Sequence, residues 1–268
     1  MQHRGNSNLQ PRSTPFMPAP RATLFIQCLV DALAPRVGDA MVRVLERLGV
    51  DMDYPAGQTC CGQPAYNSGY RREAAGLAER FLDVFEHAEA IVCPSGSCVH
   101  MVRHHYPELF ADSPALLARA RAIAGRTWEF SEYLVDVLGV TDAGQRLGSA
   151  FTGSVTYHDS CHLARGLGIR RQPRQLLEGV PGLTLVEMDG SDRCCGFGGM
   201  FSVKYPEIST AMVDDKVASI LATGADAVVG CDASCLMHMA GRLGRMGSAV
   251  RALHIAEVLD PGPKGGAA

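Results

Sequence analysis

Cys194-Cys195-Gly196-Phe197-Gly198-Gly199 places two adjacent cysteines directly before a run of glycines. A second copy of the pair, Cys60-Cys61-Gly62, lies in the first half of the chain. On a strand, neighbouring side chains point to opposite faces, so both cysteines of a pair cannot enter one core. In an irregular turn both thiolates can face one metal centre, and the glycine lets the backbone approach it closely. The repeated pair therefore predicts two metal-binding loops in an irregular part of the fold.

The cysteines around these pairs occur in the same order in both halves of the chain. By sequence alignment, Cys28 corresponds to Cys161, Cys93 to Cys231 and Cys98 to Cys235. The halves also close alike, with Phe130-Ser-Glu132-Tyr-Leu134 matching Ile255-Ala-Glu257-Val-Leu259. We interpret this agreement as a duplication, with the boundary in the polar segment Gly139–Gly153.

Short apolar runs alternate with amphipathic segments in both halves. The runs that read as buried strands are Ala22–Gln27, Ala90–Cys93, Val155–His158 and Ala227–Gly230. Shorter strand-like runs lie at Val50–Tyr54 and Leu183–Met188. Alternating strands and helices predict an α/β fold with a parallel, Rossmann-like sheet in each half. We expect a first domain over 22–145, a second over 146–260, and disordered tails at 1–21 and 261–268.

Composition limits the class of protein. The chain has 268 residues, 47% apolar and 20% charged, which allows a sizeable core. A net charge of −3 and a pI near 6.3 argue against nucleic-acid binding. No apolar run approaches the roughly 18 residues that a membrane span needs. Ten cysteines without a secretory h-region indicate a reducing, cytoplasmic location and metal or redox chemistry.

The cysteines lie where a parallel sheet gathers ligands. Cys28, Cys93, His158 and Cys231 follow predicted strands, and ligands collect at the carboxyl ends of such strands. Cys98 and Cys235 lie in the first turn of predicted helices, where free N–H groups favour the thiolate. Sulfur ligation selects zinc or iron–sulfur clusters. Adjacent cysteines about thirty residues from the others favour a cluster over zinc.

The cysteine pattern is similar to that of a known family. The spacings C-x₃₁-CCG-x₃₀-C-x₄-C and C-x₃₂-CCG-x₃₄-C-x₃-C resemble the cysteine-rich CCG domain. That domain occurs in iron–sulfur subunits of heterodisulfide reductase, glycolate oxidase and lactate-utilization systems. The stretches Cys61–Tyr70, Pro94–Cys98, Cys161–Arg165, Cys195–Lys204 and His254–Leu259 resemble the lactate-utilization branch most.

This resemblance implies an iron–sulfur electron-transfer subunit of an L-lactate-oxidising complex. Such a chain is an oxidoreductase subunit that needs partner subunits, with one or two clusters, [4Fe-4S] in type. One alternative is thiol/disulfide or 2-hydroxy-acid redox, as in the subunits of heterodisulfide reductase and glycolate oxidase. The remaining alternative is an interaction module held together by zinc. The resemblance implies eight cluster ligands: Cys28, Cys60, Cys61, Cys98, Cys161, Cys194, Cys195 and Cys235.

Cys93 and Cys231 stay open, because the CCG pattern ordinarily ends in C-x-x-C. Each is either a further ligand or a small buried hydrophobe at a strand end. We place four side chains around the ligands: His158, His162, Arg165 and Lys204. The histidines could bond a cluster sulfur or satisfy a backbone group. The cations could offset cluster charge or lie in solvent.

Two further features bear on function. His100, His104 and His105 follow Cys98 on a predicted helix, where a solvated face is favoured over a metal pair. Phe197, Met200 and Phe201 flank the second Cys-Cys-Gly loop. They suit either a partner-docking face or a lid over the cluster.

Overall fold

The computed structural model describes residues 19–262. The expected tails at 1–18 and 263–268 lie outside this range. Arg21, the last residue of the expected N-terminal tail, is the first residue of a strand.

The described residues form two four-stranded parallel sheets. The strands are β1 Arg21–Leu24, β2 Asp51–Asp53, β3 Ile91–Cys93, β4 Thr127–Glu129, β5 Gly153–His158, β6 Leu183–Leu185, β7 Ala227–Gly230 and β8 Arg251–His254. Their order is β2-β1-β3-β4 in one sheet and β6-β5-β7-β8 in the other. The prediction of a duplicated parallel α/β fold is confirmed.

Helices connect the strands of each half. In the first half they are α1 Cys28–Leu33, α2 Pro35–Arg47, α3 Gln63–Asn67, α4 Arg71–Val84, α5 Gly96–His100, α6 Tyr106–Leu109, α7 Pro114–Ala124 and α8 Phe130–Glu132. α9 Ala143–Leu147 then leads into the second half, which has α10 Arg171–Glu178, α11 Met200–Lys204, α12 Pro206–Ala222, α13 Ala233–Arg245 and α14 Ile255–Leu259. π-helical turns lie at Met101–His105, Tyr133–Val137 and His162–Gly166.

Local sequence explains several of these boundaries. Pro35 is the first residue of α2. Proline is tolerated there because the N–H groups of the first turn have no hydrogen-bond partner within the helix. Glu129 and His254 cap α8 and α14 with their side chains, and Glu132 and Glu257 return the bond in both capping boxes. The similar closing sequences of the two halves therefore form the same strand-to-helix corner.

The register of the sheets changes one expected correspondence. Ser95 and Asp232 are the N-caps of α5 and α13, and they meet in an isolated antiparallel bridge. Two residues before them lie Cys93 and Gly230, respectively. The equivalence of Cys93 with Cys231 is therefore wrong, because Cys93 occupies the position of Gly230.

The pairing with the outer strands agrees with this correction. Cys93 pairs with Glu129 on β4, and Gly230 pairs with His254 on β8. Both partners are the capping residues that end their strands. Cys231 thus lies one residue beyond its strand, in the position that Pro94 holds in the first half.

The two halves share a core. One apolar cluster joins α2 of the first half to α10 and α14 of the second. At its edge Arg43 donates two hydrogen bonds to the Asp260 carboxylate, at 2.6 and 2.9 Å. Nearer the cysteines, Gly96 packs so closely on Leu163 that an added Cβ would lie 2.7 Å from the Leu163 Cβ. This contact brings the helix carrying Cys98 against the turn that follows Cys161.

Candidate metal centre

A cavity of about 450 Å³ lies beyond the carboxyl ends of the central strands. Its walls come from both halves and carry the eight cysteines expected as ligands: Cys28, Cys60, Cys61, Cys98, Cys161, Cys194, Cys195 and Cys235. One molecule of liquid water takes up about 30 Å³, so the cavity has room for a group much larger than a single metal ion. The structure thus brings both predicted ligand sets together in a single cleft.

Helix starts position two cysteines in each half. Cys28 is the first residue of α1, and Cys161 is the N-cap of the turn His162–Gly166. Cys98 and Cys235 are each the third residue of their helices. Ser95 accepts a hydrogen bond from the Cys98 N–H at 3.4 Å, which fixes that first turn.

The glycines hold the Cys-Cys-Gly loops in a left-handed backbone conformation. Gly62 has φ +85° and Gly196 has φ +84°, values that L side chains rarely adopt. The Gly62 N–H donates to Cys60 Sγ at 3.5 Å, and the Gly196 N–H donates to Cys194 Sγ at 3.4 Å. The two loops therefore present their first cysteine to the cavity in the same way.

The sulfurs of the first half form a continuous series of contacts. The Cys28 and Cys61 thiols hydrogen-bond to Cys60, and these two bonds lower the pKa of Cys60 well below its usual range. The bond to Cys60 correspondingly raises the pKa of Cys28 and of Cys61. Cys61 also bonds to Cys98. This bond is the largest cause of the low pKa of Cys98, which falls to about 5. The series favours thiolates at alternate positions.

The second half repeats this series. The Cys161 and Cys195 thiols hydrogen-bond to Cys194 and lower its pKa well below the usual range. Cys195 bonds to Cys194 and then to Cys235, and its own pKa rises. Each half therefore offers four sulfurs in the same spatial order. In both halves the first cysteine of the Cys-Cys-Gly pair is stabilised as a thiolate, which suits a positively charged metal core.

The spacing of these sulfurs is wider than a zinc site requires. With Zn–S bonds of about 2.3 Å, four tetrahedral sulfurs lie about 3.8 Å apart. Across the chain that the structure describes, His158 with Cys195 and Cys235 is the one group of three or more His, Cys, Asp or Glu whose ligand atoms lie within 4.8 Å of one another. Among the described residues, four sulfurs as close as those of a tetrahedral zinc site are therefore not found.

Cys93 and Cys231 are both fully buried, and neither is among the described residues that line the cavity. The Cys93 thiol bonds to Cys98, so it lies behind the first ligand set. The Cys231 sulfur lies 3.3 Å from the Tyr157 hydroxyl and 3.9 Å from the Ser131 hydroxyl. Cys231 thus points into the core between the halves, as its shifted register requires.

His158 lies against the second ligand set. It is 1% exposed, and neither ring nitrogen has a hydrogen-bond partner within residues 19–262. One of its nitrogens lies within 4.8 Å of the sulfurs of Cys195 and Cys235. Burial and then the charge of Lys216 lower the pKa of His158 to about 3. An unpartnered, neutral imidazole beside two sulfurs is suited to bonding a cluster.

The sequence analysis missed Lys216, which is 1% exposed. Its ammonium donates to the carbonyls of Gly190 at 2.7 Å and Ser191 at 3.0 Å, just before the second Cys-Cys-Gly loop. The sequence could have indicated its burial, because Lys216 lies between Val213 and Ile220 on the apolar face of α12. Burial lowers the pKa of Lys216 to about 8.

His162 lines the cavity, and its Nδ1 lies 3.6 Å from the Cys161 sulfur. Its ring lies 5.1 Å from that of His100, which in turn neighbours His104 and His105. The structure therefore joins the three helical histidines to the cysteine site through His162.

The remaining predicted residues are the two cations and the apolar side chains beside the second Cys-Cys-Gly loop. Arg165 and Lys204 are exposed, and neither side chain forms a hydrogen bond or ion pair with any described residue. Phe197 packs on the core of the second half, 6.0 Å from the His238 ring. Met200 and Val203 line the cavity and are 40% and 69% exposed. The exposed apolar surface at the cavity mouth is thus formed by α11.

Comparison with known proteins identifies the repeated unit. The cysteine-rich domain family abbreviated CCG matches residues 22–103 and again residues 155–240. Each match begins at or beside the central strand of a sheet and extends past the last cavity cysteine of its half. No helix among residues 19–262 is long and apolar enough to cross a membrane.

Curated relatives match nearly the whole chain. It is 51% identical over 247 residues to lactate utilization protein A of an Exiguobacterium species, covering 91% of this chain and 99% of the relative. It is 48% identical over 240 residues to lactate utilization protein A of Bacillus subtilis, covering 90% and 99%. A crystal structure of a hypothetical protein from Helicobacter pylori shares the fold, with a TM-score of 0.62 at 10% identity. That match covers 92% of this chain and 50% of the other.

Proposed function

The chain belongs to the family of lactate utilization protein A and carries two cysteine-rich CCG domains, and we propose from this that it is an iron–sulfur electron-transfer subunit of an L-lactate-oxidising system. The observation that carries the proposal is the cavity in which two matching series of four cysteines meet. A bound cluster of this kind accepts and releases single electrons. Lactate oxidation releases electrons that such a subunit can carry away.

Each half supplies the ligands for one centre, of [4Fe-4S] type. Cys28, Cys60, Cys61 and Cys98 hold it in the first half. Cys161, Cys194, Cys195 and Cys235 hold it in the second. His162 Nδ1 lies 3.6 Å from the Cys161 sulfur, and a ring nitrogen of His158 lies within 4.8 Å of the Cys195 and Cys235 sulfurs. Hydrogen bonds from such side chains to ligand sulfurs tune reduction potentials. Arg165 and Lys204 are exposed, so solvent screens their charges from the two centres.

The chain works as one subunit of a larger oxidoreductase. The sequence has no Walker loop and no dinucleotide fingerprint, so partner subunits deliver and remove the reducing equivalents. We place the assembly in the cytoplasm, because all ten cysteines are free, as a reducing compartment requires.

Metal analysis tests this proposal against the zinc alternative. Purified without oxygen, the chain should be brown and contain iron together with acid-labile sulfide. The wide spacing of the sulfurs and the size of the cavity give the physical reason. Iron, zinc and sulfide per chain are the quantities to measure. Stoichiometric zinc without sulfide would establish the interaction module instead.

The mouth of the cavity should be where a partner docks. Val203→Asp places a charge on an exposed apolar side chain that lines the cavity. We expect the iron content to stay unchanged and the lactate-dependent reduction of the chain to slow at least severalfold. The measurement is the visible absorbance change in an extract that oxidises lactate.

Val137→Asp is the matched control, because Val137 is 45% exposed and does not belong to the cavity lining. It should reduce at the rate of the unaltered chain. If Val203→Asp and Val137→Asp slow lactate-dependent reduction equally, α11 is not part of the docking surface. Phe197→Asp is a weaker test, since Phe197 is partly buried against the core and its replacement also disturbs packing.

A further inference from the structure

Helices α4 and α12 occupy equivalent places behind the two Cys-Cys-Gly loops. A Cβ added at Gly62 would touch Leu77 of α4, and one added at Gly196 would touch Met212 of α12. Because the loops have the same conformation, Leu77 and Met212 are matching positions. The positions one helical turn further on therefore also match.

Those next positions differ in chemistry. In the first half Phe81 stacks edge-on against Phe25, with ring centroids 4.9 Å apart. In the second half the same two positions hold Lys216 and His158, since Phe25 and His158 each stand three residues before the first cysteine. An apolar aromatic pair beside one ligand set is thus replaced by a cation and an imidazole beside the other.

The charge of Lys216 is buried and is not neutralised by direct contact. Its partners are backbone carbonyls, and no carboxylate lies within ion-pair distance of it among the residues that the structure describes. Asp159, the carboxylate with the largest effect on the pKa of Lys216, is itself paired with Arg174 at 2.8 Å. Although burial lowers the pKa of Lys216 to about 8, the ammonium form still predominates at neutral pH.

Lys216 in place of Phe81 and His158 in place of Phe25 should both raise the reduction potential of a nearby cluster. A buried cation stabilises the added electron of a reduced cluster, because little solvent screens the interaction. A donor to a ligand sulfur also raises the reduction potential. Both halves share the backbone N–H that donates to the first cysteine of the Cys-Cys-Gly loop. Among the described residues, the first half adds only uncharged partners at Cys98, the Cys93 thiol and the Ser95 hydroxyl, and a thiol is a weak donor.

We propose that the two centres are inequivalent, and that His158 and Lys216 give the second half the higher reduction potential. This inference rests on the proposed function, because it requires a cluster in each half. An electron held by the first half then passes to the second. The first half is oxidised by one electron, the second is reduced by one, and no proton has to move because Lys216 already balances the charge.

Redox titration followed by electron paramagnetic resonance tests the assignment. The unaltered chain should show two midpoint potentials. Lys216→Gln removes the charge but keeps an amide donor for the two carbonyls. At a fixed potential it should lower the reduced-to-oxidised ratio of the higher centre at least tenfold, which is about 59 mV for one electron. His158→Phe, which installs the residue of the first half, should shift the same centre downward.

Arg80→Gln is the matched control. Arg80 lies on the equivalent helix and donates to a loop carbonyl, Gly57 O at 3.1 Å, but it is exposed. Solvent screening should leave both midpoints unchanged. Equal midpoints in the unaltered chain, a single centre, or a shift of the lower or of both midpoints by Lys216→Gln would each overturn the inference.

Paired cysteine variants assign each midpoint to a half. Cys60→Ala with Cys61→Ala should leave the higher midpoint, and Cys194→Ala with Cys195→Ala should leave the lower one. If removing either cysteine pair causes loss of the metal from both halves, the assignment of midpoints rests on Lys216→Gln in the complete chain, which should shift only the higher midpoint. A chain without iron and sulfide contradicts the proposed function itself, whereas loaded centres with the reverse order contradict only this inference.

Discussion

Cys195→Ala should remove about half of the iron and sulfide from the chain, whereas Cys231→Ala should remove none. Cys195 lines the cavity and contacts both Cys194 and Cys235, so its loss interrupts the series of second-half sulfurs. Cys231 is equally buried but points at the Tyr157 hydroxyl. The two variants make the same chemical change at two buried positions. Iron and sulfide per folded chain, with thermal unfolding as the check on folding, give the measurement.

Cys93→Ala completes this comparison. Cys93 bonds to Cys98 without lining the cavity, so we expect the iron content to be retained. Iron loss from Cys231→Ala equal to that from Cys195→Ala would show that Cys231 turns into the cavity when metal binds. Iron loss from Cys93→Ala alone would make Cys93 a ligand of the first half.

The sequence was sufficient for the fold and for the eight cavity cysteines, because both depend on repeated local patterns. Apolar runs of strand length recur in each half, and a parallel sheet places whatever follows them at one edge. The outer strands β4 and β8 were not identified as strands. Each is short and ends in a charged or polar residue, Glu129 or His254. These residues are explained by their role as N-caps in the capping boxes of the helices that follow.

The pairing of Cys93 with Cys231 could not be corrected from spacing alone. Cysteine spacing counts residues, whereas equivalence is set by strand register and by the Ser95–Asp232 bridge. A shift of one residue turns a side chain to the opposite face of a strand. The sequence therefore placed two cysteines correctly near strand ends but could not tell which way their sulfurs point.

The pair of His158 and Lys216 was hidden for a different reason. The two residues are far apart in sequence, and only the fold brings them together. Lys216 donates to the Ser191 carbonyl, and so does the backbone N–H of Asp159, the residue after His158. A buried lysine is rare because its desolvation is costly, so the usual expectation for a lysine in a helix is exposure. Its position on the apolar face of α12 marks it as an exception once the helix is known.

Gly196→Ala should abolish metal binding in the second half, whereas Gly62→Ala should reduce stability and leave the first centre in place. Both glycines have φ near +85°, so alanine costs about 1–2 kcal/mol of backbone energy at either position. The surroundings differ. A Cβ at Gly62 would lie 3.4 Å from the Ala74 carbonyl oxygen, which is ordinary contact. A Cβ at Gly196 would lie 2.7 Å from the Ser209 carbonyl oxygen, so the backbone must move.

That movement should displace the second ligand pair from the cavity. Gly196 is joined to α12 through its carbonyl, which accepts a hydrogen bond from the Ser209 hydroxyl at 2.8 Å, and its N–H bonds the Cys194 sulfur. Pushing Gly196 away from Ser209 breaks the first bond and moves Cys194 with it. Iron per chain and the paramagnetic signal of each half measure the result. Full iron content in Gly196→Ala would mean that α12 yields instead of the loop, and equal loss in both variants would mean that left-handed backbone strain alone decides whether each centre forms.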